Sequence, residues 1–236
     1  NYDSTFVIDP SLLQAVTLDP IQPEQVKTLE IGYRGIYLKK FYLDFSAYYN
    51  WYTNFIGDLR VVRPEAGQAG EESGENAIIT GAYDVYQIPT NAKETVKSYG
   101  VSVGLSYYFG KGLTAKGNYT WADLNADNLN DPILPGFNTP NHKFNIGLEG
   151  RKVFKGFGFN TNFRWQSAFD WQSPFGDGRV ASLYTLDANV SYEFTKMYST
   201  ITVGGTNITN NRFVQAYGSP LIGGMVYASL LFEFNK

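Results

Sequence analysis

The chain holds one histidine and no cysteine, so few of its residues could support acid–base or nucleophilic chemistry. His142 would need a serine such as Ser167 or Ser182 beside it to form a hydrolytic triad, and no nucleophile motif surrounds either serine. A zinc site without cysteine would depend on carboxylates as its other ligands, which is uncommon. We therefore expect no enzyme activity, no metal site and no cofactor, and we interpret His142 as structural.

A pair of adjacent carboxylates, Glu71 and Glu72, lies in a stretch rich in Gly and Glu. Such a stretch is typical of a mobile, solvated loop, although the carboxylates could also bind calcium or a cationic ligand. The net charge of the chain is −3, so nothing in the composition indicates the basic surface that is typical of nucleic-acid binding.

Two other groups of residues could bind a ligand. The first group is polar and recurs at every second position of several segments. Its side chains could contact a ligand or another part of the protein. The alternative is that they only form a hydrated surface. These polar-face residues are Lys116, Asn118, Asn160, Asn162, Arg164, Gln166, Asp187 and Asn189. The second group is aromatic, lies in connecting segments, and could stack on a sugar or a chelate; otherwise it packs loop against loop. These loop aromatics are Tyr83, Tyr86, Phe137, Phe175, Phe213 and Tyr217.

The segments that carry the polar-face residues alternate strictly between apolar and polar side chains, which predicts β-strands. From Phe41 to Trp51, for example, the odd positions are all apolar or aromatic, and most of the even positions carry polar groups. The pattern predicts nine strands, at residues 25–34, 39–55, 98–109, 113–124, 142–151, 157–171, 182–194, 200–208 and 224–234. Segment 77–96 could extend the third strand.

Aromatic residues make up 17% of the chain, and they concentrate at the ends of the predicted strands. Trp51, Trp121 and Trp171 close three strands at one end, and residues 107–109 lie at the opposite end. Because Trp and Tyr favour the membrane–water interface, this placement predicts two girdles around a transmembrane barrel. No run of about 18 apolar residues predicts a transmembrane helix.

The connections alternate between short and long. The short ones are 35–38, 110–112, 153–156 and 195–199, and the long ones are 56–97, 125–141, 172–181 and 209–223. Outer-membrane barrels have short periplasmic turns and long extracellular loops. The sequence therefore predicts an all-β, antiparallel, up-and-down barrel whose first strand runs toward the periplasm and whose polar-face residues face the lumen.

An odd number of up-and-down strands cannot close on itself, because the first and last strands would run parallel. An open edge in lipid is costly, since each unpaired backbone group there costs several kcal/mol. We therefore expect further strands outside this chain. A count that is wrong by one, with a strand from residues 77–96 or 5–16, would instead give a complete small barrel.

Four segments resemble the C-terminal barrel of TonB-dependent receptors, particularly those of Bacteroidetes-type bacteria. They are the Pro-Glu…Glu-x-Gly strand at residues 21–34, the Thr-Pro-x-His strand start at 139–148, the Asn-rich signature at 205–211 and the closing aromatic strand that ends at Phe234. The closing strand departs from the pattern, because Asn235 and Lys236 follow it.

The resemblance implies a barrel of about 22 strands, of which residues 25–236 form the last part after an extracellular lead-in at 1–24. It further implies import of a scarce nutrient (a glycan, a peptide or a metal chelate) across the bacterial outer membrane. The implied partners are outer-membrane lipids and lipopolysaccharide, the plug domain and upstream strands of the same protein, the TonB complex, and a surface lipoprotein that binds substrate in some relatives.

Three rival hypotheses remain open at this point. The chain could be a complete small porin or structural barrel, which would carry a passive current. It could be an outer-membrane phospholipase or protease that depends on His142. It could also be a soluble ligand-binding β-sandwich, which would be monomeric without detergent.

Overall fold

A computed structural model describes residues 17–64, 71–125, 133–173 and 176–233, with only the backbone described for residues 71–75. Its main feature is one nine-stranded antiparallel sheet in the order β1-β2-β5-β6-β7-β8-β11-β12-β13. The strands of this sheet are β1 Gln25–Tyr37, β2 Phe41–Thr53, β5 Val96–Gly110, β6 Leu113–Asn125, β7 His142–Phe154, β8 Phe157–Gln166, β11 Leu183–Phe194, β12 Ser199–Thr206 and β13 Met225–Phe232. The nine strands confirm the alternating pattern, and their bounds differ from the predicted ones mostly by one to three residues.

Four smaller strands and one α-helix, together with a single-turn 3-10 helix at Thr195–Met197, complete the described elements. They are β3 Ile56–Pro64, α1 Glu71–Thr80, β4 Tyr83–Asn91, β9 Phe169–Trp171 and β10 Gly178–Val180. No helix in the described part of the chain is long and apolar enough to cross a membrane.

The register of the sheet places the two sets of alternating residues on opposite faces. Asp44 lies opposite Gly104, which lies opposite Asn118 on the next strand. Their sequence neighbours Phe45, Val103 and Tyr119 are likewise in register on the other face. Directly opposed residues point to the same side of an antiparallel sheet. One face is therefore polar and rich in glycine, and the other is apolar and aromatic.

The apolar face carries an aromatic band near each end of the strands. At the end that carries the long loops, Tyr99 stacks on Tyr49 at 5.6 Å between ring centroids and contacts Trp121 at 5.5 Å. At the other end, Tyr107 contacts Phe109 at 4.7 Å, and Tyr192 contacts Phe194 at 4.8 Å.

The spacing of the two bands matches the apolar layer of a membrane. Tyr49 and Phe41, one from each band, are eight residues apart along β2. Eight residues rise about 26 Å along a strand, or about 20 Å along the membrane normal at a tilt of about 40°. This length approaches the apolar band of about 25 Å on known outer-membrane barrels, so the aromatic girdles predicted from the sequence are present on the outward face.

Short turns join the strands at the end opposite the long loops. The connection lengths predict that this end faces the periplasm, so we name it the periplasmic end and the opposite one the extracellular end. Gly110 pairs with Leu113, so the turn between them is Lys111-Gly112, and both of its residues have positive φ (52° and 75°). Lys155-Gly156 forms the same kind of turn, with φ of 45° and 86°. Positive φ at both central residues is the mark of a type I′ turn, whose twist matches that of the flanking strands.

The long connection between β2 and β5 forms regular secondary structure. Two predictions made for it from the sequence, one for segment 77–96 and one for Glu71 and Glu72, are wrong. Segment 77–96 does not extend the third strand of the sheet; instead, β4 pairs with β3 in a separate two-stranded hairpin. The hairpin closes at its base, where the Ala92 amide donates to the Phe55 carbonyl at 2.7 Å. We name residues 56–91 the β3–β4 excursion.

Glu71 and Glu72 begin helix α1 rather than lying in a solvated loop. The helix ends at Thr80, and the next residue, Gly81, has a φ of +74°. The Gly81 amide donates to Ile78 at 3.2 Å and the Ala82 amide to Ala77 at 3.0 Å. This pair of bonds is a Schellman cap, which satisfies the last carbonyls of the helix.

The predicted strand 157–171 is also divided. Strand β8 ends at Gln166, and residues 169–171 form β9, which turns away to pair with β10. The Ser167 amide still donates to the His142 carbonyl at 2.9 Å, so the chain leaves the sheet directly after that residue.

Strands β1 and β13 are the two edges of the main sheet and do not pair with each other or with other described strands. Every residue of β13 is exposed, and so is nearly every residue of β1. The described sheet is thus one part of a larger barrel, and the polar face lines its lumen.

Candidate functional site

The luminal face brings all eight polar-face residues onto one curved surface. Asn118 lies opposite Asn145, which lies opposite Arg164 on β8. Asn162 lies between Gly147 and Asp187, and Asn160 lies between Glu149 and Asn189. The structure therefore places these side chains together as the sequence predicts, although their contacts with a ligand or plug remain untested predictions.

Part of this surface is a groove of about 390 Å³ on strands β2 and β5 to β8, lined by Tyr42, Asp44, Ser102, Lys116, Asn118 and Asn162, among others. Glycines open the groove: a side-chain carbon on Gly147 would lie 3.2 Å from Lys116 Cε and 3.3 Å from Asn162 Oδ1. The groove thus depends on small residues between longer polar ones.

Hydrogen bonds hold several of its side chains in place. Asn145 Nδ2 donates to Asn118 Oδ1 at 3.0 Å. Lys116 Nζ lies 3.1 Å from Glu149 Oε2, and Arg151 Nε lies 3.8 Å from the other oxygen of the same carboxylate. At the groove's far side, Asp44 accepts from Arg34 at 2.9 Å. The groove therefore carries charged side chains of both signs, and these side chains pair with one another.

Asp187 connects the luminal face to the extracellular end of the sheet. Its carboxylate forms an ion pair with Arg164, and its Oδ1 accepts from the Asn207 amide at 2.8 Å. Asn207 is only 4% exposed and has a φ of 48°. Its side chain bonds both backbone groups of Asn211, at 2.8 and 3.1 Å.

The Asn-rich signature is therefore a structural turn at the top of β12. Asn210 continues the same arrangement, because its Oδ1 accepts from the Gly224 amide at 2.9 Å. In the sequence, Asn207 is evident only as part of the family resemblance at residues 205–211. Its position between a strand and a long connection is a signal of a capping role that pattern reading missed.

Phe213 is the loop aromatic that reaches the luminal face. It lies beside a pocket of about 200 Å³ whose other lining residues include Lys143, Asn145, Arg164, Gln166 and Gln215. We name this cavity the Phe213 pocket. It combines an aromatic ring, two cationic side chains and several amide groups under the extracellular end of β7 and β8.

The other loop aromatics lie elsewhere. Tyr83 and Tyr86 belong to β4 and hence to the β3–β4 excursion. Tyr217 lies against Gly176, where an added side-chain carbon would be 3.4 Å from its ring. Phe137 lies in the 133–141 connection, and Phe175 lies outside the described residues. The structure does not bring the five described rings together at one point.

Contacts between loops join these parts into one extracellular layer. Asp58 exchanges two backbone hydrogen bonds with Leu134, at 3.0 and 2.7 Å. The Asn138 side chain forms two hydrogen bonds with the backbone of Gln172: its Nδ2 donates to the carbonyl at 2.8 Å, and its Oδ1 accepts from the amide at 2.7 Å. Arg60 pairs with Asp177 at 2.7 Å. Three of the long connections are therefore tied to one another.

His142 lies on the outward face, away from the lumen. Its Nδ1 is 2.7 Å from the Tyr119 hydroxyl, and the two rings stack at 6.2 Å. Ser167 meets only the backbone of His142, accepting from its amide at 3.2 Å. The imidazole is thus part of the aromatic band, and no group of acidic or histidine side chains in the described ranges is arranged to hold a metal ion.

Comparison with known structures shows the same fold in outer-membrane transporters. The FrpB iron transporter from Neisseria meningitidis matches over 90% of this chain and 31% of its own, with 16% identity and a TM-score of 0.62. The copper transporter OprC matches over 83% and 27%, with 16% identity and a TM-score of 0.60. The siderophore receptor PirA from Acinetobacter baumannii matches over 89% and 32%, with 18% identity and a TM-score of 0.59.

The chain thus spans about a third or less of these structures, and at such identities the likeness establishes the fold. None of the curated protein sequences matches it. A family model described as "TonB dependent receptor-like, beta-barrel" matches residues 2–208, which is most of the chain. That family consists of receptors of the bacterial outer membrane and not of enzymes. The chain therefore belongs to the TonB-dependent receptor β-barrel family and forms part of a barrel in the outer membrane.

Proposed function

We propose that this chain is the C-terminal wall of a transporter that imports a scarce nutrient across the outer membrane, with energy supplied by the TonB complex. The observation that carries the proposal is the Phe213 pocket, where an extracellular loop meets the luminal wall. A solute that enters from outside reaches this pocket before the deeper groove. An aromatic ring beside amide and cationic groups suits a ligand that presents both a flat apolar part and polar oxygens.

The named relatives favour one nutrient class. FrpB, OprC and PirA are described as an iron transporter, a copper transporter and a siderophore receptor. A metal ion carried in an oxygen-rich chelate fits Lys143 and Arg164, because cationic groups bind carboxylate and phenolate oxygens. We therefore rank a metal chelate above a glycan or a peptide.

The remaining parts of the transporter follow from the family. We propose a complete barrel of about 22 strands that contacts lipid and lipopolysaccharide outside and a plug domain inside. The plug would contact the eight polar-face residues around the 390 Å³ groove. Residues 1–24 would form an extracellular lead-in, which is supported by the bond from the Gln22 amide to Asn91 of the β3–β4 excursion at 2.6 Å.

Two finer assignments rest on the motifs alone. The Thr-Pro-x-His strand start and the Asn-rich turn favour a Bacteroidetes-type receptor. In such receptors a surface lipoprotein can cover the barrel, and the tied extracellular loops offer it a firm platform. We propose no enzyme activity, because His142 is engaged by Tyr119 on the outward face.

The test uses the whole receptor expressed in cells with and without TonB. We expect iron or copper, supplied as iron(III) or copper(II) chelates, to accumulate in the cells only when TonB is present. Accumulation without TonB, or a steady single-channel current from the purified receptor, would instead support a passive pore. Labelled oligosaccharide and peptide mixtures serve as the alternative probes.

Variants of the pocket locate the binding step. Phe213→Ala and Lys143→Gln are each expected to weaken chelate binding to cells about tenfold, since each removes roughly 1.4 kcal/mol of contact. Phe154→Ala removes an equally large ring at a periplasmic turn and should leave binding unchanged. Equal losses in all three variants would contradict the location of the site.

A further inference from the structure

Lysine occurs in every one of the four described periplasmic turns. Lys39 and Lys40 lie between β1 and β2, Lys111 between β5 and β6, Lys155 between β7 and β8, and Lys196 between β11 and β12. All five side chains are exposed. The turns hold no acidic residue between their flanking strands, so every charged side chain within them is positive.

Three of these lysines occupy backbone positions that do not suit lysine. The φ angles of Lys39, Lys111 and Lys155 are 55°, 52° and 45°. Glycine, asparagine and aspartate adopt this left-handed region with the least strain and are the usual residues of such turns. Backbone geometry therefore does not select lysine at these turns, where Leu38 and Tyr198 also adopt the left-handed region, with φ of 50° and 46°. What the four turns share beyond their geometry is a positive charge.

The charges are available for an external partner. None of the five turn lysines forms an ion pair with a described residue, whereas Lys152, further up the wall, pairs with Glu193 at 2.6 Å. Lys155 Nζ lies over the ring of Phe154, 5.2 Å from its centroid.

The turns also lie at a defined level of the membrane. They directly follow the periplasmic aromatic band, which includes Tyr37, Phe109 and Phe154. Aromatic girdles mark the depth of the lipid headgroups. Successive turns are two strands apart, or about 10 Å along the rim.

We propose that the turn lysines form a binding rim for anionic phospholipid headgroups of the inner leaflet of the outer membrane. Each ammonium group reaches a headgroup phosphate beside the aromatic band, and the repeat of the turns lets several lipids bind side by side. Basic groups next to an anionic leaflet attract it additively. The rim fixes the depth and tilt of this part of the barrel, independently of what the transporter imports.

The experiment measures lipid binding by the whole receptor, purified in detergent and titrated with phosphatidylglycerol under native mass spectrometry. The test variant carries Lys39→Asn, Lys111→Asn and Lys155→Asn. Asparagine removes the charge but favours the left-handed backbone, so this variant is expected to fold at least as well as the natural protein. We expect roughly a fivefold loss of affinity per lysine, and therefore about a hundredfold loss in the triple variant.

Matched controls make the outcome decisive. Arg63→Asn, Lys93→Asn and Arg212→Asn together remove the same charge from exposed residues of the extracellular loops, and this variant should bind phosphatidylglycerol as before. Phosphatidylcholine, which has a phosphate but no net charge, should bind weakly to both variants, and inorganic phosphate should compete poorly. Unchanged phosphatidylglycerol binding in the turn variant would overturn the proposal. The proposal would also be overturned if the turn variant lost binding to purified peptidoglycan but kept its binding to phosphatidylglycerol.

Discussion

Replacing Asp187 by alanine tests how the luminal wall holds the extracellular turn. The carboxylate accepts the Asn207 amide at 2.8 Å, and this amide belongs to a residue that is only 4% exposed. A hydrogen bond to a charged acceptor contributes about 1.5–3 kcal/mol, and a buried donor left without a partner costs a similar amount. The ion pair with Arg164 adds less than about 1 kcal/mol, because half of the arginine side chain is exposed to water (50%).

We therefore expect Asp187→Ala to lower the free energy of unfolding by about 2–3 kcal/mol and Arg164→Ala by less than about 1 kcal/mol. Asp187→Asn keeps an acceptor oxygen and should fall between the two. The assay is denaturant unfolding of the whole receptor in detergent, followed by tryptophan fluorescence.

Hydrogen exchange of segment 206–211 gives a local readout of the same bond. Asp187→Ala should accelerate exchange of the Asn207 amide, and Arg164→Ala should leave it protected. Equal destabilisation by the two alanine variants, with the Asn207 amide protected in both, would refute the assignment of the main contribution to the backbone bond.

Three further predictions concern the two faces of the sheet and the turn. Val103→Arg, between the aromatic bands on the outward face, should destabilise the barrel in lipid vesicles by about 2–4 kcal/mol, whereas Ser102→Arg on the luminal face should cost less than about 1 kcal/mol. Asn207→Ala should cost about 2–3 kcal/mol in denaturant unfolding, and Asn207→Gly clearly less, because glycine tolerates the positive φ. Tyr119→Phe, which removes the bond to His142, should cost under about 1 kcal/mol and leave uptake unchanged; a loss of uptake would contradict a structural His142.

The alternation of side chains was enough to predict the main sheet, because its strands have a polar side and an apolar side along most of their length. Residues 41–51 and 99–109 show this most clearly, and both lie within single strands. The same rule predicts which residues share a face, so the eight polar-face residues were found together.

The parts that pattern reading missed have no long-range periodicity. The β3–β4 excursion pairs with itself outside the membrane, so its side chains do not alternate between lipid and water. Helix α1 is marked only by its closing Gly81, whose cap involves four residues. The Phe213 pocket could not be predicted, because the position of Phe213 depends on how connection 209–223 returns over β7 and β8.

The base of the β3–β4 excursion has a consequence for how such receptors diversify. Since Phe55 and Ala92 are joined by a hydrogen bond, the excursion begins and ends at one point. The strands on either side meet with the same register, Tyr52 against Val96, as they would across a tight turn. Lengthening an insertion costs little in chain entropy, about 0.6 kcal/mol for each doubling. Whole segments can therefore be exchanged at this point without a change in the pairing of β2 with β5. New ligand specificities can evolve by replacement of the excursion.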